Sequence, residues 1–224
     1  MKRNIARVTR SKAAARAAYD RLSRWYDLLA GSERRFTEMA LQKLAAQPGE
    51  TVLEIGPGTG HALLSLGRTA GPSGTVLGLD LSAGMLSQAR RRLSRSGLSN
   101  GAHLMCGDGG ALPLKSSSVD AILMSFTLEL FDTPEMTTVL QECRRVLRSA
   151  GRLCVVALSR NNGRAWVLRL YEWAHERFPD WVDCRPIHAE AAIHESGFHT
   201  LEVMHGSMWG LPVEIVLGQK GEVE

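Results

Sequence analysis

An apolar strand running straight into closely spaced glycines constrains this chain more than any other feature. In Thr51–His61, TVLEIGPGTGH, the run Val52-Leu53-Glu54-Ile55 meets Gly56, Gly58 and Gly60, and a helix-like stretch from Ala62 to Ala70 follows. Glycines permit a tight strand-to-helix reversal and let a ligand approach bare backbone at the carboxyl end of the strand. The spacing is G-x-G-x-G. A dinucleotide fingerprint would need its third glycine at position 61, where the chain has His61.

Acids recur at the ends of successive apolar runs. Glu54 stands two residues before the first glycine, Asp80 closes the run Thr75–Leu81, and Asp108 follows Ala102–Gly107 in CGDGGALPL. In a parallel sheet these ends line one edge, so the three carboxylates would surround one adenosine-like ligand. Glu54 then falls near a charged tail, Asp80 on the ribose hydroxyls and Asp108 on an adenine amine. A dehydrogenase accounts for the second acid but has no set place for the third.

VLEIGPGTGH, GLDLSAGML, CGDGGALPLKSSSVDAIL and VLQECRRVLRSAGRLCVV, in this order, resemble the successive motifs of the class I S-adenosylmethionine-dependent methyltransferases. The resemblance is close over residues 20–160 and looser beyond. It implies S-adenosylmethionine as cofactor, and a Rossmann-like α/β fold with a doubly wound, seven-stranded, mostly parallel sheet. An antiparallel C-terminal hairpin would close that sheet. It also implies cofactor contacts from Tyr19, Glu54, Gly56, Gly58, Gly60, Asp80, Leu81, Met85, Asp108, Gly109, Ser125 and Phe126. Leu81 and Met85 would sandwich the adenine, and Ser125-Phe126-Thr127 would line the methyl-donating end. The stretch YDRLSRWYDLL, from Tyr19, is similar to an N-terminal segment that folds over the cofactor in methyltransferases of quinones and related lipophilic acceptors.

The elements read in order as a helix or helix pair over Ala13–Leu29, a helix over Arg34–Ala46, and then five strand-helix alternations. These are strand 51–55 and helix 60–70, strand 75–81 and helix 83–97 behind a Ser82 cap, and strand 102–107. Strand Val119–Ser125, helix 134–148 opened by Thr133-Pro134 and stopped at Ala150-Gly151, and strand Arg152–Leu158 complete them. Such alternation implies a doubly wound parallel sheet. Beyond Ser159 the pattern changes to helix Arg164–Phe178, helix 187–196, and strands Thr200–His205 and Val213–Gly218 flanking Gly206–Pro212. With no repeat and no long linker, residues 1–224 are expected to form one domain: a basic arm (1–18), N-terminal helices over the cofactor (19–50), a cofactor-binding core (51–158) and an acceptor-side segment with the closing hairpin (159–224).

A chain of 224 residues with 44% hydrophobic and 22% charged residues suits one globular α/β domain. It carries no apolar run long enough to cross a bilayer and no secretory leader, so a cytoplasmic protein, at most peripheral to the membrane, is expected. The arm holds Lys2, Arg3, Arg7, Arg10, Lys12 and Arg16 and no acid before Asp20, so the net +4 resides there. Such an arm suits contact with an anionic membrane, or with nucleic acid without sequence preference; the plainer reading is a solvated leader. Arg90, Arg91, Arg92 and Arg95 read as a solvated helix face. Cys106, Cys143, Cys154 and Cys184 form no C-x-x-C pair and are expected to be free thiols, with Cys106 and Cys154 in the core. His188, His194, His199 and His205 lack the i, i+4 spacing of a helical metal site, so no metal is expected.

Methyl transfer from a sulfonium is an in-line displacement governed by positioning. A carbon acceptor such as a hydroquinone must also lose a proton, for which Glu129, His188 and Tyr26 are candidates, with Arg185 as a partner for a phenolate. Quinone-type C-methylation is the expected reaction and methylation of a phospholipid amine the alternative. From another class, an NAD-dependent oxidoreductase is opposed by His61. A specific nucleic-acid methyltransferase is opposed by SFTLEL after the fourth strand, where an Asn/Asp-Pro-Pro-aromatic motif is usual.

Overall fold

The computed structural model describes residues 7, 8, 10–23, 30–98, 101–161, 171, 173, 177 and 184–221. Its elements are α1 (Lys12–Leu22), α2 (Arg34–Leu44), β1 (Thr51–Ile55), α3 (His61–Ala70), β2 (Thr75–Asp80), α4 (Ala83–Arg95), β3 (Ala102–Cys106), β4 (Val119–Ser125), α5 (Thr133–Val146), β5 (Leu147–Leu158), α6 (Ala189–Glu195), β6 (Phe198–Met208) and β7 (Leu211–Lys220). The strands form one sheet in the order β3-β2-β1-β4-β5-β7-β6. β1 to β5 pair in parallel, whereas β7 runs antiparallel to both β5 and β6. This is the doubly wound sheet with a closing hairpin that the sequence predicts.

Period-two alternation distributes the core. Val52, Leu123 and Cys154 face the side packed by α2 and α3, while their neighbours Leu53, Met124 and Val155 face α5 and α6. All six are fully buried, as a central parallel sheet covered on both faces requires. Switch points therefore bring every βα loop to one edge, beyond the carboxyl ends of β1 to β4.

Several boundaries differ from expectation. α5 ends at Val146, and Leu147, fully buried and paired with Val119, already belongs to β5. The stop at Ala150-Gly151 is therefore a bend within β5, between the Val119–Leu147 and Ala121–Arg152 pairs, with Ala150 at φ 56°. Thr133 is the first helical residue, preceded by Asp132 in extended conformation. The hairpin strands are longer than predicted and absorb most of Gly206–Pro212, because Met208 pairs directly with Leu211 and leaves a two-residue turn. α6 is shorter than predicted, since Ile187 bridges Ser159 instead. Cys154 is buried as expected, but Cys106 is exposed because β3 is an edge strand. Most of the predicted helix 164–178, and Trp25, Tyr26 and Leu29 of the N-terminal segment, lie outside the described residues.

Phe36 joins α2 to the sheet. It is 2% exposed, meets Phe126 edge to face at 6.3 Å between centroids, and leaves room only for glycine at Gly206, where a Cβ would lie 2.5 Å from its ring. Phe36→Ala is expected to lower stability by about 3 kcal/mol, read as a fall in the denaturant midpoint without a change in slope.

Candidate functional site

β1 delivers the chain into the glycine loop at the sheet's switch point. Gly56 has φ 71°, its amide donates to the Leu79 carbonyl at 2.8 Å, and a Cβ there would strike the Thr127 hydroxyl at 2.4 Å. Only glycine lets the loops after β1 and β4 approach so closely. Gly60 has another task. A Cβ there would lie 2.8 Å from that of Ala89, so its absence lets α3 pack on α4.

Asp80 ties this loop to the next. One carboxylate oxygen accepts the Gly58 amide at 3.1 Å and the other accepts the Ser82 amide at 2.8 Å. Burial pushes its carboxyl up to about 6, against the lowering effect of those amides. Glu54, 3% exposed, is pushed up further, to about 8, first by burial and then by the neighbouring Asp80 charge. Its Oε2 is buried without a hydrogen-bond partner among the described residues. Asp108 differs from both. Burial alone would raise it, yet the Lys12 ammonium at 2.5 Å and the Gly110 amide at 2.9 Å hold it below the usual carboxylate range.

Two cavities share this loop. The first is lined by Tyr19, Gly56, Gly58, Asp80, Leu81, Met85, Asp108, Gly109, Ser125 and Phe126, together with Phe131 and the arm residues Val8, Arg10 and Lys12. The second shares Gly56, Gly58 and Ser125 and adds Glu54, Arg34, Thr37 and His61. The Arg34 guanidinium lies within 3.0 Å of the ring nitrogens of His61, and Thr37 meets the Ser125 hydroxyl at 2.9 Å. Of the residues expected to contact a cofactor, Gly60 alone lines neither cavity.

The residues expected to take an acceptor's proton stand elsewhere. Glu129 is fully buried with Oε1 accepting the Leu158 amide, His188 is half-buried with Nδ1 3.1 Å from the Asn161 amide oxygen, and neither lines either of these two cavities. Tyr26 lies outside the described residues. Arg185, fully buried, is no free partner for a phenolate. It donates to the carbonyls of Glu129 and Phe131 and to the Thr133 hydroxyl, clamping the turn that carries Leu130 and Phe131 into the first cavity. Ahead of that turn, Phe126 sits at φ 50°, a costly conformation for a bulky residue.

Sequence reasoning missed three contacts. Asp20 of the Tyr19-Asp20 pair accepts the Ser82 hydroxyl at 2.6 Å and the Gly84 amide at 2.8 Å, which pins α1 on the N-terminus of α4. Arg92, one of the four arginines read as solvated, reaches the Thr59 hydroxyl at 2.9 Å and the Thr59 carbonyl. Lys12 and Arg7 of the arm engage Asp108, Glu135 and Asp132. The raised Glu54 carboxyl stabilises the fold while it holds its proton, so stability falls as pH climbs from the ordinary carboxylate range toward 8. Glu54→Gln is expected to remove that loss. Its stability relative to the parent should climb between pH 5 and 7.5 by about 3 kcal/mol, read as a rising difference in melting temperature; a difference constant with pH contradicts the assignment.

Similarity to known proteins follows the same core. A family model described as a methyltransferase domain matches residues 52–151. The ubiquinone/menaquinone biosynthesis C-methyltransferase UbiE of Hahella chejuensis is 30% identical over 158 residues, 68% of this chain and 63% of that protein, so the chain spans just under two thirds of this relative. The demethylmenaquinone methyltransferase of Thermotoga maritima is 31% identical over 169 residues, 73% of this chain and 70% of that protein. A SAM-dependent methyltransferase from Aquifex aeolicus shares the fold with a TM-score of 0.62 at 22% identity, over 82% of this chain and 88% of that one. The chain belongs to the class I S-adenosylmethionine-dependent methyltransferases.

Proposed function

We propose that this protein transfers the sulfonium methyl group of S-adenosylmethionine to a small lipophilic acceptor, with a quinone-type ring carbon as the favoured target. The observation that carries the reading is the meeting of three strand-end acids with the glycine loop along the walls of the two cavities, Asp80 and Asp108 in the first and Glu54 in the second. Glu54, with its unpartnered buried oxygen, suits the ammonium of an amino-acid tail. Asp80, already held by two amides, keeps lone pairs for ribose hydroxyls. Asp108 suits an adenine amine, and Leu81 and Met85 offer apolar contact to the ring.

When bound, S-adenosylmethionine would supply an activated methyl whose carbon–sulfur bonding pair returns to sulfur as the acceptor's pair forms the new bond; a ring carbon methylated in this way then releases its displaced proton to solvent at the cavity mouth. The chain's own residues contribute position. Phe126, Leu130 and Phe131 give the first cavity an apolar wall suited to an aromatic acceptor and exclude water from the line of attack. The Arg185 clamp keeps that wall in place. The quinone preference draws on the names of the two relatives and on the Tyr19-Asp20 segment, whose Tyr19 lines the cavity.

Purified protein given methyl-labelled S-adenosylmethionine is expected to label demethylmenaquinol in preference to phosphatidylethanolamine. Label in the phospholipid alone would move the acceptor to the amine class, and label in neither would reject both. Asp80→Asn is expected to raise the KM for S-adenosylmethionine about tenfold or more, with a smaller change in kcat.

A further inference from the structure

We propose that the β6–β7 hairpin tip seats the protein on an anionic lipid surface, with Trp209 as the inserted side chain. The proposal stands on the hairpin's geometry and does not need the acceptor to be a quinone.

Met208 pairs with Leu211, so Trp209 and Gly210 alone make the turn, at φ 52° and 82°. Two positive φ values in a two-residue turn define the geometry in which Asn-Gly predominates. Gly210 fits it. Trp209 does not, because a bulky side chain in left-handed backbone is strained. Its side chain is also 76% exposed, the most exposed large hydrophobic among the described residues. Backbone and solvation thus both oppose a tryptophan here. Strain at an exposed aromatic points to function rather than folding.

The surroundings favour lipid over a protein partner. Gly206–Val213 carries no charged side chain. Met208 and Leu211 are buried beneath the turn, so among the described residues the indole is the one exposed large apolar side chain of the tip, short of the broad apolar patch that a protein interface requires. The exposed Arg35 donates to the Ser207 carbonyl beside the tip. An exposed tryptophan with an arginine at its base and no acid in the turn matches the headgroup region of an anionic bilayer, where the ring buries its body and keeps its N–H wet. Placement completes the argument. Val213 pairs with Leu158 at the carboxyl end of β5, so the tip projects from the sheet edge that carries the glycine loop and the strand-end acids. A surface touching Trp209 would border the cavities' mouths.

Sedimentation of the full chain with phosphatidylcholine vesicles, with and without phosphatidylglycerol, tests this. The parent is expected to co-sediment with the anionic vesicles and only weakly with the neutral ones. Trp209→Asn should cut partition at least tenfold, while S-adenosylmethionine affinity holds and the melting temperature stays level or rises, since Asn suits the turn. A parent that ignores anionic vesicles overturns the proposal. So does a Trp209→Asn protein that binds them equally, which would assign binding to the basic arm. A Trp209-dependent dimer without vesicle binding would overturn it in favour of a second copy of the chain.

Discussion

One carboxylate holds the cofactor edge together. By accepting the Gly58 amide with one oxygen and the Ser82 amide with the other, Asp80 fixes the loop after β1 against the loop after β2. Ser82 passes that order on, because its hydroxyl accepts the Met85 amide and donates to Asp20. Helix α1, and with it Tyr19 on the cavity wall, is thereby registered to the same carboxylate. A charged group half-buried on a cavity wall still needs partners; here the partners are the backbone of the ligand loops themselves.

Buried charge elsewhere on this edge divides into groups that build and a group that waits. Glu129 and Arg185 build. The first accepts the Leu158 amide, the second gathers the carbonyls of Glu129 and Phe131, and between them the turn after β4 is held against the end of β5. Glu214 is of the same kind, fully buried at the start of β7 and accepting the Ala189 amide at 2.7 Å. Glu54 waits. It is raised toward neutrality by burial and by Asp80 and, unlike Glu129 and Glu214, it lines the second cavity beside Gly56 and Gly58. A cation placed there would return it to its charged form.

The sheet was legible because its signals are local and repeated. Apolar runs of strand length, the first three ended by glycine or an acid, predict β1 to β4 within a residue or two. The cofactor edge was legible for the same reason: strand-end residues in a parallel sheet share one edge whatever the helices do. Long-range partners left no such trace. Arg185 lies 56 residues from the Glu129 carbonyl it holds, and Lys12 lies 96 from Asp108. Arg92 looked like its neighbours because a rotation of about 100° per residue on α4 decides which arginine reaches Thr59. The hairpin turn was hidden for a different reason. Trp209-Gly210 is a poor turn sequence, and the fold adopts it because the flanking strands pair through to Met208 and Leu211.

Calorimetric titration of S-adenosylmethionine into the parent and into Asp108→Ala tests the strand-end site most directly. The parent is expected to bind with a single saturating transition, and the variant, which loses a cavity-lining carboxylate at a half-exposed position, to bind about tenfold more weakly while still folding cooperatively. Equal affinity in the two proteins, or no binding by the parent, would contradict it.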